Sequence, residues 1–137
     1  MNSLFIKTLS KSFSNKFTIE SYENDLFIKF PAQNPDFGDI DIYEEDPGAY
    51  IVIIGKFTHT HFDTYNDGTD DEKTNEAAQD IIIFLNNLFA DRVICFGSHE
   101  MGGGYCMEEH MEYYDDDNQT NLFVWSGIYK PRNTPEK

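Results

Sequence analysis

Short segments of alternating polarity, separated by turn signals, fill the first half of the sequence. Residues 16–22, 26–30 and 39–43 alternate between apolar and polar side chains, as half-buried strands do. Residues 49–58 are apolar on both faces, which predicts a strand in the interior of a sheet. Strands joined by short turns pair with their neighbours in sequence. The pattern therefore predicts two hairpins of an antiparallel sheet.

Two helices are predicted on the same kind of reasoning. A stripe of apolar side chains runs through about residues 70–90, and Thr69 or Asp70 precedes it as a helix cap. Residues 3–13 carry a shorter stripe with Ser3 as the expected cap. Both predicted helices are amphipathic, so each is expected to bury one face against the sheet.

The second half of the chain adds two predicted strands, at residues 92–97 and 121–129, with an irregular stretch between them. We therefore predict one α+β domain over residues 1–137. It has a mainly antiparallel sheet of about six strands, on which the long helix and the short N-terminal helix pack. Residues 131–137 are expected to form a frayed tail.

Charge narrows the possible partners. The chain has 25 acidic and 10 basic residues, a formal net charge of −15. Contact with nucleic acid or an anionic membrane would start from repulsion, so neither is expected as a partner. The N-terminal sequence lacks the apolar run of about 7–15 residues that a signal peptide needs. We therefore expect a cytoplasmic protein whose two cysteines are reduced.

Two acidic blocks are the candidate contact surface for a basic protein partner. They are residues 36–46 and 105–117, which contain many carboxylates and no lysine or arginine. A surface of this kind attracts a cationic protein, and tyrosines beside the charges can anchor the contact. The predicted partner-binding residues are Asp39, Asp41, Glu44, Glu45, Tyr113, Tyr114, Asp115, Asp116 and Asp117.

In size, charge and predicted architecture the chain is similar to bacterial immunity proteins, which are small acidic proteins that neutralise a cognate toxin. The resemblance implies a non-enzymatic protein that covers a basic toxin, often a nuclease, with a carboxylate-rich surface. It implies no cofactor.

The segment Thr58-His59-Thr60-His61-Phe62-Asp63 supports an alternative. Alternate residues of an extended chain share a face, so His59, His61 and Asp63 can point together at a divalent metal such as zinc. The string resembles the His-x-His-x-Asp-His motif of the metallo-β-lactamase superfamily, with Thr64 in the fourth position. The resemblance implies a metal-binding domain or a metal-dependent hydrolase. His99 is a further candidate ligand for this site.

A separate zinc site is also conceivable from the spacing of four residues, Cys95, His99, Cys106 and His110. Two thiolates and two imidazoles form a common tetrahedral zinc set. The simpler interpretation treats Cys95, which lies in the apolar run Val93-Ile94-Cys95-Phe96, as a small buried side chain.

Overall fold

A computed structural model describes residues 1–64, 67–98, 100, 102–109 and 122–129 of the chain. Within them it contains two helices and nine strands that form two antiparallel sheets. The predicted α+β class is confirmed, with a long helix and a short N-terminal helix. In chain order the elements are α1 (Ser3–Phe13), β1 (Thr18–Tyr22), β2 (Asp25–Phe30), β3 (Ile40–Asp46), β4 (Ala49–Ile54), β5 (Thr58–Phe62), α2 (Asp70–Phe89), β6 (Val93–Phe96), β7 (Gly104–Met107), β8 (Phe123–Val124) and β9 (Gly127–Ile128).

The first five strands form one sheet in the order β1-β2-β3-β4-β5, and the last four form a second sheet in the order β7-β6-β8-β9. The prediction of a single strand over residues 49–58 is wrong beyond residue 54. Strand β4 stops at Ile54, the chain turns through Gly55, and β5 returns antiparallel beside β4. The positive φ of Gly55, +54°, permits this turn.

The second sheet contains two further differences from the predicted strands. The stretch predicted to be irregular contains β7, which pairs with β6. The strand predicted over residues 121–129 is a small hairpin, because the chain reverses at Trp125 and Ser126 between β8 and β9. The Asp91 carboxylate fixes this turn by accepting hydrogen bonds from the Ser126 backbone N–H, at 3.1 Å, and from its hydroxyl, at 2.5 Å.

Both helices pack on one face of the five-stranded sheet, which we call the inner face. Side chains along each strand point alternately to the inner and the opposite face. Ile40 and Ile42 of β3 point to the inner face, where the helices cover them, and are completely buried. The Phe5 ring of α1 stacks on Tyr50 of β4 with centroids 4.0 Å apart. The Phe84 ring of α2 lies 5.5 Å from Phe62 of β5. These aromatic contacts join both helices to the sheet in one hydrophobic core.

The ends of the helices follow the local sequence. In α2 the Thr69 hydroxyl accepts a hydrogen bond from the Glu72 backbone N–H, and the Glu72 side chain accepts one from the Thr69 N–H. This capping box confirms Thr69 as one of the two predicted caps. The cap of α1 is Asn2 rather than Ser3, because the Asn2 side chain accepts hydrogen bonds from Leu4 and Phe5. Neither of the described helices is long and apolar enough to cross a membrane.

Candidate functional site

The side of the five-stranded sheet opposite the helices is the candidate functional site. We call it the outer face. Within the described residues the helices contact one another and the inner side of β4 and β5, and none packs on this surface. Its side chains form rows across the strands, since Lys29 pairs with Asp41, Asp41 with Ile53, and Ile53 with His59. The outer face comprises Glu20, Phe27, Lys29, Asp41, Tyr43, Glu45, Ile51, Ile53, His59 and His61.

Apolar side chains occupy the middle of the outer face. The Phe27 ring stacks on Tyr43 with centroids 4.7 Å apart and an interplanar angle of 19°. Ile51 and Ile53 lie beside them on β4 and are half-buried. Although it points away from the helices, Phe27 is only 8% exposed. The centre of the outer face is therefore a packed, partly covered apolar patch, of the kind found at the centre of protein interfaces.

Positive charge on the outer face is already compensated. The Lys29 ammonium lies 3.4 Å from a carboxylate oxygen of Asp39 and 5.8 Å from the Phe27 ring centroid. Burial lowers the pKa of Lys29, but the neighbouring Asp41 and Asp39 carboxylates outweigh it, so the pKa is raised. Asp39 also accepts a hydrogen bond from the Ala32 N–H at 2.7 Å. Asp39, a predicted contact residue, therefore holds its own loop in place and neutralises Lys29.

Asp41 and Glu45 are the two predicted contact residues that lie on the outer face. Asp41 is partly buried beside Lys29, and burial raises its pKa while Lys29 lowers it in part. One of its oxygens, Oδ1, is buried and accepts no hydrogen bond within the described residues. A carboxylate in this setting is energetically costly, and an added cation at the outer face would offset that cost.

Glu44 lies on the inner side of β3 and serves the core. Its carboxylate accepts a hydrogen bond from the Tyr50 hydroxyl at 2.8 Å and another from the Asn2 backbone N–H at 3.1 Å. Burial and the Glu44 carboxylate raise the pKa of Tyr50. Glu44 therefore links the start of α1 to β4. Alternation along β3 already places it on the side of Ile40 and Ile42, and this signal could have separated it from Asp41 and Glu45.

Removal of the Tyr50 hydroxyl is expected to destabilise the protein. In Tyr50→Phe the half-buried Glu44 carboxylate loses a donor, which costs about 1–3 kcal/mol of unfolding free energy. Urea unfolding followed by circular dichroism measures the change. Tyr43→Phe is the matched control, because the half-buried Tyr43 ring lies on the outer face and stacks on Phe27. It is expected to change stability by no more than about 0.5 kcal/mol. Equal losses in the two variants would contradict the role given to Glu44.

The predicted metal ligands come together only in part. His59 and His61 do share the outer face, with ring centroids 5.2 Å apart, and His61 Nδ1 lies 3.4 Å from a Glu45 oxygen. Asp63 follows the end of β5 and is exposed. His99 lies outside the described residues. Among the residues that the structure describes, no group of three or more His, Cys, Asp or Glu side chains is placed to hold a metal ion.

The two cysteines cannot share a zinc ion. Both are free thiols, and Cys95 pairs with Tyr105 while Cys106 pairs with Ile94. Neighbouring positions of paired strands point to opposite sides of the sheet, so the two sulfurs are on different faces. Burial raises the pKa of the Cys95 thiol to about 12 and that of Cys106 in the same direction. His110, the remaining member of that set with His99, is outside the described residues.

The rest of the predicted contact surface lies outside the described residues: Tyr113, Tyr114, Asp115, Asp116 and Asp117. The predicted contact residues do not include the apolar side chains of the outer face, Phe27, Ile51 and Ile53. Phe27 and Ile28 are neighbours in β2, so their side chains point to opposite faces of the sheet. This alternation is the sequence signal that could have placed Phe27 on the outer face.

Comparisons of the chain with protein-family models, with curated proteins and with solved structures found no match.

Proposed function

We propose that this chain is a non-enzymatic binding protein that acts in the cytoplasm and covers a cationic protein with the outer face of its five-stranded sheet. The observation that carries the proposal is the composition of that face. The half-buried Tyr43, Ile51 and Ile53 surround the buried Phe27 at its apolar centre, and none of the described helices packs on them. Apolar side chains that remain accessible as a group on a folded domain are a common mark of an interaction site.

The charges around this centre support a cationic partner. Lys29 is paired with Asp39, so Glu20, Asp41 and Glu45 leave the outer face with excess negative charge. A partner lysine or arginine beside Asp41 would add to the attraction of Lys29, which offsets only part of the cost of burying this carboxylate. The net charge of −15 also speeds encounter with a cationic protein, by about 10- to 1000-fold at low salt.

We propose further that the partner is a toxic basic protein and that the chain is an immunity-type protein that blocks it. The support is the small acidic α+β architecture together with a binding face that combines negative charge with apolar side chains. Inhibition of this type requires only that the outer face, when bound, covers the active site or the target-binding site of the toxin.

A variant that removes two negative charges from the outer face tests the proposal. Immobilised wild type, Asp41→Asn/Glu45→Gln and Asp71→Asn/Asp80→Asn are each exposed to a lysate of the native cell. The last variant removes the same charge from two exposed positions on α2. We expect wild type and the α2 variant to retain a basic protein and to release it as the salt concentration rises from 50 to 500 mM. The outer-face variant should bind the same protein about 10- to 100-fold more weakly.

Growth of cells that express the captured basic protein separates the immunity role from binding alone. Co-expression of wild type or the α2 variant should restore growth, and the outer-face variant should not. Equal retention by both variants would contradict the assignment of the outer face. Binding with the predicted pattern but no growth defect from the captured protein would contradict the immunity role and leave the binding role supported.

A further inference from the structure

A cavity at the end of β2, on the inner side of the sheet, shares no lining residue with the outer face and is independent of the proposed partner surface. It has a volume of about 410 Å³, within the roughly 300–1000 Å³ usual for small-molecule sites. It opens where the α1–β1 connection, the end of β2, the end of α2 and the β8–β9 turn meet. Its lining residues are Lys16, Phe30, Pro31, Gln33, Phe89 and Trp125.

The walls of this cavity are aromatic and anchored in the core. The Phe89 ring lies 5.3 Å from Phe30 and 5.0 Å from Trp125, measured between centroids. Phe30 is 2% and Trp125 6% exposed, so both rings are held by surrounding residues. Phe37 fixes the far side of Trp125, with centroids 5.5 Å apart. The half-buried Phe89 ring and the accessible edges of Phe30 and Trp125 therefore form a preformed apolar wall for the body of a ligand.

The polar side chains at the cavity are one cationic lysine and one neutral amide. Lys16 is exposed at the mouth and forms no ion pair within the described part of the chain, although the sequence has 25 carboxylates against 10 basic residues. Gln33 adds a side-chain amide, and none of the six lining residues is acidic. An apolar body with one negative group matches this arrangement of walls and charge.

We propose that the cavity binds a small organic carboxylate, with an aromatic ring or short acyl chain lying against Phe89 and the accessible edges of Phe30 and Trp125, and the carboxylate at Lys16. The site takes its specificity for an anion from a single exposed ammonium group. The apolar walls supply most of the affinity, which for a ligand of about ten heavy atoms corresponds to a dissociation constant of about 1 mM.

The protein contains its own reporter for this site, since Trp125 is the only tryptophan in the chain. Trp125 emission is recorded during titration with phenylacetate, with neutral phenylacetamide and with phenethylamine, which is cationic. We expect a saturable change with phenylacetate, weaker binding of the amide and the weakest binding of the amine. Calorimetry of the phenylacetate titration should give one site per chain.

Lys16→Gln tests the charge, and Lys11→Gln is its matched control, because Lys11 is exposed on α1 and does not line the cavity. Lys16→Gln should weaken phenylacetate binding about 3- to 5-fold and leave phenylacetamide binding unchanged, whereas Lys11→Gln should change neither. The proposal is overturned if neither phenylacetate nor octanoate gives a saturable change below 20 mM, if the amine binds as tightly as the acid, or if the two lysine variants behave alike.

Discussion

Gly55→Ala is expected to lower the free energy of unfolding by about 2–5 kcal/mol, the largest effect of any single substitution considered for this fold. Gly55 has φ +54°, where a side chain is strained, and an added Cβ would overlap the carbonyl oxygen and ring of Phe37. That carbonyl accepts a hydrogen bond from the Lys56 N–H at 2.9 Å, so it cannot move away freely. The substitution therefore separates the β4–β5 turn from the loop that precedes β3.

Urea unfolding measures this loss, and Gly102→Ala is the matched control. Gly102 also has a positive φ, +84°, but an added Cβ there would meet no heavy atom within 4 Å. The control carries the backbone strain of about 1–2 kcal/mol without the overlap. If Gly55→Ala proves no more destabilising than Gly102→Ala, the close contact between the β4–β5 turn and Phe37 does not hold the sheet together.

Alkaline pH is expected to destabilise the protein through Cys95. Burial raises its pKa from 9.0 to about 12, so the folded state keeps the thiol proton that the unfolded state loses. Above pH 9 the unfolded state therefore binds fewer protons, and stability falls as pH rises. Between pH 8 and 10.5 this one thiol should cost about 2 kcal/mol.

Unfolding free energies of wild type and Cys95→Ala, measured across that pH range with a reductant present, isolate the contribution of Cys95. The variant starts less stable at pH 8, because it leaves a cavity in the core, but it should lose about 2 kcal/mol less on going to pH 10.5. Cys106→Ala is the comparison, since Cys106 is only partly buried and should change the pH dependence less. Parallel pH profiles for wild type and Cys95→Ala would contradict burial of the Cys95 thiol.

Local signals predicted much of this fold. The Thr69 and Glu72 side chains mark the start of α2 in the sequence as they do in the structure, because a capping box uses only neighbouring residues. The alternation that placed Ile40 and Ile42 opposite Asp41 and Tyr43 is likewise a local property, and the burial of β3 confirms it. Such patterns need no knowledge of which segments meet in space.

The features that escaped prediction depend on contacts between distant segments. Gly55 breaks an apolar run that reads as one strand, and its turn is fixed by Phe37, eighteen positions earlier. The division into two sheets depends on which strands pair. At the candidate site, Glu44 and Glu45 are both predicted as contact residues. Only the structure shows that Glu44 instead accepts hydrogen bonds from Tyr50 and Asn2. The Trp125 cavity unites four separate parts of the chain, so no sequence window contains it.

The most direct test of the outer-face assignment is the dissociation constant of the purified basic partner for wild type, Tyr43→Ala and Ile83→Ala, measured by calorimetry. Tyr43 lies at the centre of the outer face, stacked on Phe27, whereas Ile83 is 61% exposed on α2 and offers a matched loss of apolar surface. We predict binding at least about tenfold weaker for Tyr43→Ala and unchanged within about twofold for Ile83→Ala, because central tyrosines dominate interface energies. Equal affinities of all three proteins, or a loss confined to Ile83→Ala, would contradict the assignment.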